Sequence, residues 1–141
     1  MDREILIIVD PMCSWCWGFS PVLRAIDEAY NSFAPIYPIV GGLRPLTSDP
    51  MNDRAKEEIQ QHWKNVNEVS GQTFDFTFFD RKDFIYDTEP ACRALVTVRF
   101  LKPKCSLVFL SVNIVTKKLT FTRSLSKSDN ADLPGDTILI M

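Results

Sequence analysis

Histidine is nearly absent from this chain: His62 stands alone among 141 residues. That scarcity leaves little room for histidine-dependent acid–base catalysis or a histidine-rich metal site. A long apolar run is also missing. The first apolar stretch, Ile5–Val9, is far too short to cross a bilayer or to form the core of a signal peptide. Asp2 and Glu4 place acid where a signal peptide would carry positive charge. The expectation is a cytoplasmic chain without a membrane partner, in a compartment that keeps thiols mostly reduced. A strong charge of either sign is lacking too. The formal net charge is −2, which gives no reason to expect nucleic acid or an anionic surface as a partner. There are no internal repeats and no low-complexity tract.

What is present fits one folded domain with a single core. Hydrophobic residues make up 45% and charged residues 24% of the chain, both near globular norms. Ile5–Val9 is a continuous, β-branched run that suits a central strand covered on both faces. Asp10-Pro11 ends it. From Phe19 onward, Phe19, Val22, Leu23, Ile26, Ala29 and Tyr30 fall at helical spacing, with Pro21 expected to kink the helix or displace its first turn. Residues 36–40 read as a second strand, pushed toward an edge or a bulge by Pro38. The order β-α-β predicts a parallel pairing.

Asp49-Pro50 looks like a helix cap followed by a first-turn proline. Met51, Ala55, Ile59, Trp63 and Val66 continue at helical spacing toward Gly71, with the lone His62 on the charged outer face. Phe74, Phe76 and Phe78 alternate with polar residues, which permits a short strand or an aromatic-anchored loop. Thr88-Glu89-Pro90 opens another helix and Lys102-Pro103 closes it. Past Lys104 the character changes. Trp and Tyr vanish, no acid occurs until Asp129, and residues 107–115 and 119–122 predict a hairpin before a loose terminus.

The chemistry concentrates in four cysteines. Cys13 and Cys16 are separated by two residues, directly after the first strand and at the start of a helix. A thiol at a helix N-terminus meets unsatisfied N–H groups and the positive end of the helix dipole, both of which favour a thiolate. A second thiol one turn inward is shielded yet within reach of the first. Neither Ser14 nor Trp15 adds positive charge, so the couple is expected to be less oxidising than one with a histidine between the cysteines. Zinc would need two more ligands, and Cys92 and Cys105 do not form a second CxxC pair. Covalent haem would need His where Trp17 stands. A purely structural pair stays open. Cys92, between alanines on a helix, reads as a small core residue; Cys105 has no identified partner. Trp15 and Trp17, with Pro11, are the candidate substrate-contacting residues around the pair.

Residues 10–21, Asp-Pro-Met-Cys-Ser-Trp-Cys-Trp-Gly-Phe-Ser-Pro, resemble the active-site segment of cytosolic DsbA-like (FrnE-type) thiol-disulfide oxidoreductases. Residues 41–45 (Gly-Gly-Leu-Arg-Pro) and 86–94 (Tyr-Asp-Thr-Glu-Pro-Ala-Cys-Arg-Ala) resemble further segments of that group, and Pro21 matches a thioredoxin proline five residues past the second cysteine. The resemblance implies an α/β, thioredoxin-like fold: a β-α-β unit over residues 1–43, a partial helical insertion over 44–103, and an irregular or hairpin-forming tail over 104–141. It implies dithiol–disulfide exchange, with Cys13 as nucleophile and Cys16 as resolving thiol and with no metal or organic cofactor. Partners would be protein or small-molecule thiols and disulfides, with glutathione or thioredoxin-type reductants. Family members are longer and return with a strand preceded by a cis-proline facing the cysteines. Only Pro103 is placed to stand in for it, and residues past about 103 read as a replaced, frameshift-like C-terminus. Two other readings stay open: a glutathione-dependent isomerase or transferase of the same superfamily, and a non-catalytic thiol- or metal-binding fragment.

Overall fold

The computed structural model describes residues 3–112. Strands β1 (Ile5–Val9) and β2 (Ile36–Val40) pair in parallel, with Ile5 opposite Ile36 and Val9 opposite Val40. Helix α1 (Ser14–Tyr30) connects them, which is the β-α-β unit the sequence predicts. Among the described residues the sheet has only these two strands. That changes the expected burial of β1. Ile5, Ile7 and Val9 face the core, whereas Leu6 and Ile8 are 62% and 79% exposed. The run is apolar on both faces, but among the described residues only one face is covered.

Pro21 lies inside α1 without breaking it. A proline at this position supplies no N–H to the carbonyl of Trp17, four residues back. Ser20 donates its hydroxyl to that carbonyl at 2.8 Å, and Gln72 donates its side-chain N–H to it at 3.3 Å. The orphaned acceptor is thus satisfied, and the helix runs on. The buried face also differs from the expected stripe. Leu23 and Ile26 point into the core, while Phe19, Val22 and Tyr30 are exposed.

Helix α2 (Asp53–Ser70) starts later than expected. Asn52 caps it, accepting from the Ala55 N–H at 2.9 Å. Pro50, expected in the first turn, instead bridges to Ile85 outside any helix. Gly71 ends α2 at φ 73°, the left-handed conformation that favours glycine. The Phe-rich stretch is anchored by its rings, as one of its two readings had it. Residues Phe76–Asp80 form a 3-10 turn, and Phe74, Phe76, Phe78 and Phe79 gather on Trp63.

Helix α3 (Glu89–Leu101) opens at Thr88 and closes at Lys102, both as predicted. A 3-10 turn (Pro103–Cys105) leads into α4 (Ser106–Val112). The expected strand over residues 107–115 is therefore wrong as far as Val112: this part is helical. The rest of the expected hairpin lies outside the described residues. The override is tertiary. Leu110 is 2% exposed and packs with Leu95, Leu23, Ile36 and Val9, and burying one such leucine is worth about 1.5–3 kcal/mol. Packing into the core thus continues past residue 103, where the family-like character was expected to stop. Among the described residues no peptide bond is cis, so Pro103 does not supply the sought cis-proline.

Candidate active site

The site forms where β1 turns into α1. Asp10 ends the strand and folds the turn with its own atoms. Its backbone carbonyl accepts from the Cys13 N–H at 3.0 Å, and its Oδ1 accepts from the Met12 N–H at 2.8 Å. Pro11 is fully buried beneath this turn, which withholds from solvent a side chain expected to meet substrate. Cys13 becomes the residue preceding the first helical turn, with extended backbone (φ −83°, ψ 118°), so its sulfur lies at the open N–H end of α1.

Cys13 and Cys16 are both half-buried free thiols. The Cys16 side chain hydrogen-bonds to Cys13 and drives the Cys13 thiol down to about 6 from an ordinary value near 9. Burial opposes that shift, the backbone N–H groups of Cys16 and Trp15 assist it, and the negative charge of Asp10 opposes it. The same Cys13 contact pushes Cys16 strongly upward; burial adds to this and a backbone hydrogen bond at Asp10 works against it. The two thiols are therefore unlike. Cys13 is a thiolate at neutral pH, and Cys16 is a protonated donor to it.

A polar framework holds the turn. The Tyr86 hydroxyl donates to the Met12 carbonyl at 2.8 Å, spanning 74 residues of sequence. Burial, then the charges of Asp10 and Cys13, keep that phenol protonated, and the Arg44 guanidinium 5.2 Å over its ring opposes them. Gly42 turns the chain after β2 at φ 66°, which brings the Leu43 N–H to Asp10 Oδ2 at 2.6 Å. Thr88, fully buried, accepts from the Arg44 N–H on its hydroxyl (3.0 Å) and donates its own N–H to the Arg44 carbonyl (3.1 Å). Cys92 is buried on α3 with Sγ 3.5 Å from Asp10 Oδ2. From the sequence, Asp10 looks like a strand terminator and Cys92 like core filler. The signal that they belong to the site is that Asp10, Leu43, Arg44, Tyr86, Thr88 and Cys92 all fall within the three quoted segments.

The remaining expected residues are scattered. Trp15 is 47% exposed beside Cys13. Trp17 is half-buried and donates its indole N–H to the Thr73 carbonyl at 3.4 Å, which ties α1 to the segment after α2. His62 and Cys105 are exposed. Among the described residues, no three His, Cys, Asp or Glu side chains gather in a way that would hold a metal ion. No helix among them is long and apolar enough to cross a membrane.

Solved structures share this fold. A candidate protein disulfide isomerase from Nitrosomonas europaea superposes with a TM-score of 0.73 at 37% identity, over 80% of this chain and 53% of that one. The fold is thioredoxin-like. The cytosolic disulfide reductase DsbM from Pseudomonas aeruginosa shares it with a TM-score of 0.64 at 22% identity, over 77% of this chain and 51% of that one. A second structure of DsbM, with glutathione, gives 0.63. The resemblance drawn from residues 10–21, 41–45 and 86–94 thus leads to DsbA-like, thioredoxin-fold neighbours. Among curated proteins, the ClpXP adapter protein SpxH of Halalkalibacterium halodurans is 26% identical over 127 residues, covering 82% of this chain and 42% of that protein. No family model matches the chain. This chain spans about half the length of the solved neighbours and less than half of SpxH.

Proposed function

We propose that this chain exchanges thiols and disulfides with protein or small-molecule substrates through Cys13 and Cys16. The observation that carries the reading is the inequality of the two thiols: Cys13 is lowered to about 6 at a helix N-terminus, and Cys16 is raised beside it. The Cys13 thiolate attacks one sulfur of a substrate disulfide. The substrate S–S bond breaks, one substrate sulfur leaves as thiolate, and a mixed disulfide forms on Cys13. Cys16 then loses its proton and attacks the Cys13 sulfur, the second substrate sulfur leaves, and a Cys13–Cys16 disulfide remains. The substrate has gained two electrons and the pair has lost them. Trp15 offers the exposed apolar surface nearest the nucleophile.

Glutathione or a thioredoxin-type dithiol fits as the reductant that resets the pair. DsbM has been solved with glutathione, and its description as a cytosolic reductase favours a cytoplasmic site of action here. No metal or organic cofactor enters these steps. The test is a trapping experiment with a disulfide substrate. Cys16→Ser should accumulate a mixed disulfide on Cys13, while Cys13→Ser should give none. Absence of an adduct in every form would sink the reading. Activity that needs glutathione yet survives Cys16→Ser would favour the isomerase or transferase alternative instead.

A further inference from the structure

Asp10 is a carboxylate 4% exposed, in a position the exchange chemistry does not explain. Its donors are the Met12 N–H on Oδ1, and the Leu43 N–H and the Cys92 thiol on Oδ2. Among the described residues no cation lies within ion-pair distance of it. A buried carboxylate without a counter-ion is costly, and its field acts on every titratable group around it. Those groups are Cys13 and Cys16 from α1, Tyr86 from the segment before α3, and Cys92 from α3. Arg44, from the loop after β2, stands over the Tyr86 ring and does not bond the carboxylate.

We propose that Asp10 holds the Cys13–Cys16 couple toward its reducing side, and that Cys92 is the positioning residue that fixes and screens the Asp10 carboxylate. The proposal deepens the exchange reading and rests on it for its biological meaning. Its physics is that of a charge placed against a thiolate. A thiol–disulfide couple becomes more oxidising as its reduced form gains a stable thiolate, and less so as a nearby negative charge opposes that thiolate. Cys92 suits the supporting part because it stays protonated. Burial first, then the Asp10 charge and its hydrogen bond, push that thiol up to about 11, so it remains a donor. Through this contact α3 gains a direct hold on the redox turn 82 residues earlier in the chain.

Two readouts test the idea on the whole protein. One is the pH profile of Cys13 alkylation, located by peptide mass. The other is the equilibrium in which the protein dithiol and oxidised glutathione give the protein disulfide and two molecules of reduced glutathione. Asp10→Asn keeps the shape and removes the charge. It should lower the Cys13 midpoint and raise the thiolate-to-thiol ratio at a fixed acidic pH roughly threefold or more. The glutathione equilibrium should move toward the protein dithiol by a similar factor. Cys92→Ala removes the screening donor and should shift both readouts the other way, by less. Cys92→Ser restores a donor and should return them to the wild-type values. In an Asp10→Asn background, Cys92→Ala should add nothing.

An Asp10→Asn protein with an unchanged or raised Cys13 midpoint overturns the proposal. So does a Cys92→Ala shift that persists without the Asp10 charge. A Cys92→Ser protein that behaves like Cys92→Ala overturns the positioning role. The alkylation midpoint is measurable whether or not the protein exchanges disulfides. A wild type that traps no substrate therefore defeats the exchange reading while leaving this test intact.

Discussion

The surroundings of Asp10 and those of Trp63 are both interiors of one small chain, yet different forces organise them. Around Asp10 the contacts are directional and each has a named atom at both ends: Met12 N–H, Leu43 N–H and Cys92 Sγ on one carboxylate, with Tyr86 Oη on the Met12 carbonyl. Around Trp63 the contacts are rings: Phe79 at 4.7 Å, Phe74 at 4.8 Å, Phe78 at 5.5 Å and Phe76 at 5.8 Å between centroids. Ring packing contributes area and tolerates small displacements; a hydrogen-bonded carboxylate does neither. The aromatic layer is thus organised by buried area, and the Asp10 framework by directed hydrogen bonds around the turn that carries Cys13. Tyr86 joins them, with its ring 6.4 Å from Phe84 on one side and its hydroxyl on the Met12 carbonyl of the cysteine turn on the other.

The largest expected effect separates these two roles. Trp63→Ala removes the hub of the aromatic layer and should cost about 3 kcal/mol, the low end for such a truncation because the indole is only half-buried. Urea unfolding measures the loss. The Cys13 alkylation midpoint should stay near 6 in the folded variant. A midpoint that moves with the stability would show that the regions are one cooperative unit.

Gly18→Ala probes the seam between α1 and α2. A Cβ there would lie 2.6 Å from Val66 Cγ1, and Val66 is fully buried. One helix must shift, at a cost of about 1–3 kcal/mol. Because Gly18 follows Cys16 by two residues, this variant should disturb the cysteine turn as well as the fold. Adding Val66→Ala opens the space and should return part of the stability, a recovery that thermal melts of the single and double variants would show.

The next effect concerns the sulfurs alone. With the Cys13 thiol at about 6, lowering the pH from 7 to 5 should slow its alkylation about tenfold, and raising it from 7 to 8 should hardly matter. The sign for stability follows from the same shift. A thiol lowered in the folded state contributes stability fully present above its ordinary value near 9 and lost as the pH falls through about 6. The reduced protein should therefore weaken on acidification through that window more than a Cys13→Ser protein does, as urea midpoints at pH 8 and pH 5 would show.

Much of this was legible in the residues. The cysteine spacing after an apolar run singled out the candidate site, and the three family-like segments meet in space around Asp10. Periodicity found α2 and α3 because apolar residues recur there with polar ones between them. It misassigned residues 107–112, where Leu, Val and Phe are compatible with strand or helix and only burial against Leu95 decides. It also could not distinguish the faces of β1, since Leu6 and Ile8 are as apolar as Ile5 and Ile7. Pro21 is accommodated within α1 for a further reason. The cost of a helical proline depends on whether its orphaned carbonyl finds donors, and Ser20 and Gln72 supply them from 3 and 55 residues away.

The smallest effect tests such a local choice between two candidate caps. Asp49 precedes a proline and has the sequence pattern of a cap, but Asn52 makes the hydrogen bond, with its Oδ1 2.9 Å from the Ala55 N–H. Asn52→Ala should cost about 1 kcal/mol. Asp49→Ala should cost almost nothing, since Asp49 is exposed and α2 begins four residues later. Both should leave Cys13 alkylation unchanged, because the start of α2 belongs to the aromatic side, where Met51 and Ile59 pack with Phe79. If Asp49→Ala proved the costlier of the two, α2 would begin before Asn52 in solution. The aromatic layer would then be closed by a longer helix than the one that now ends at Gly71.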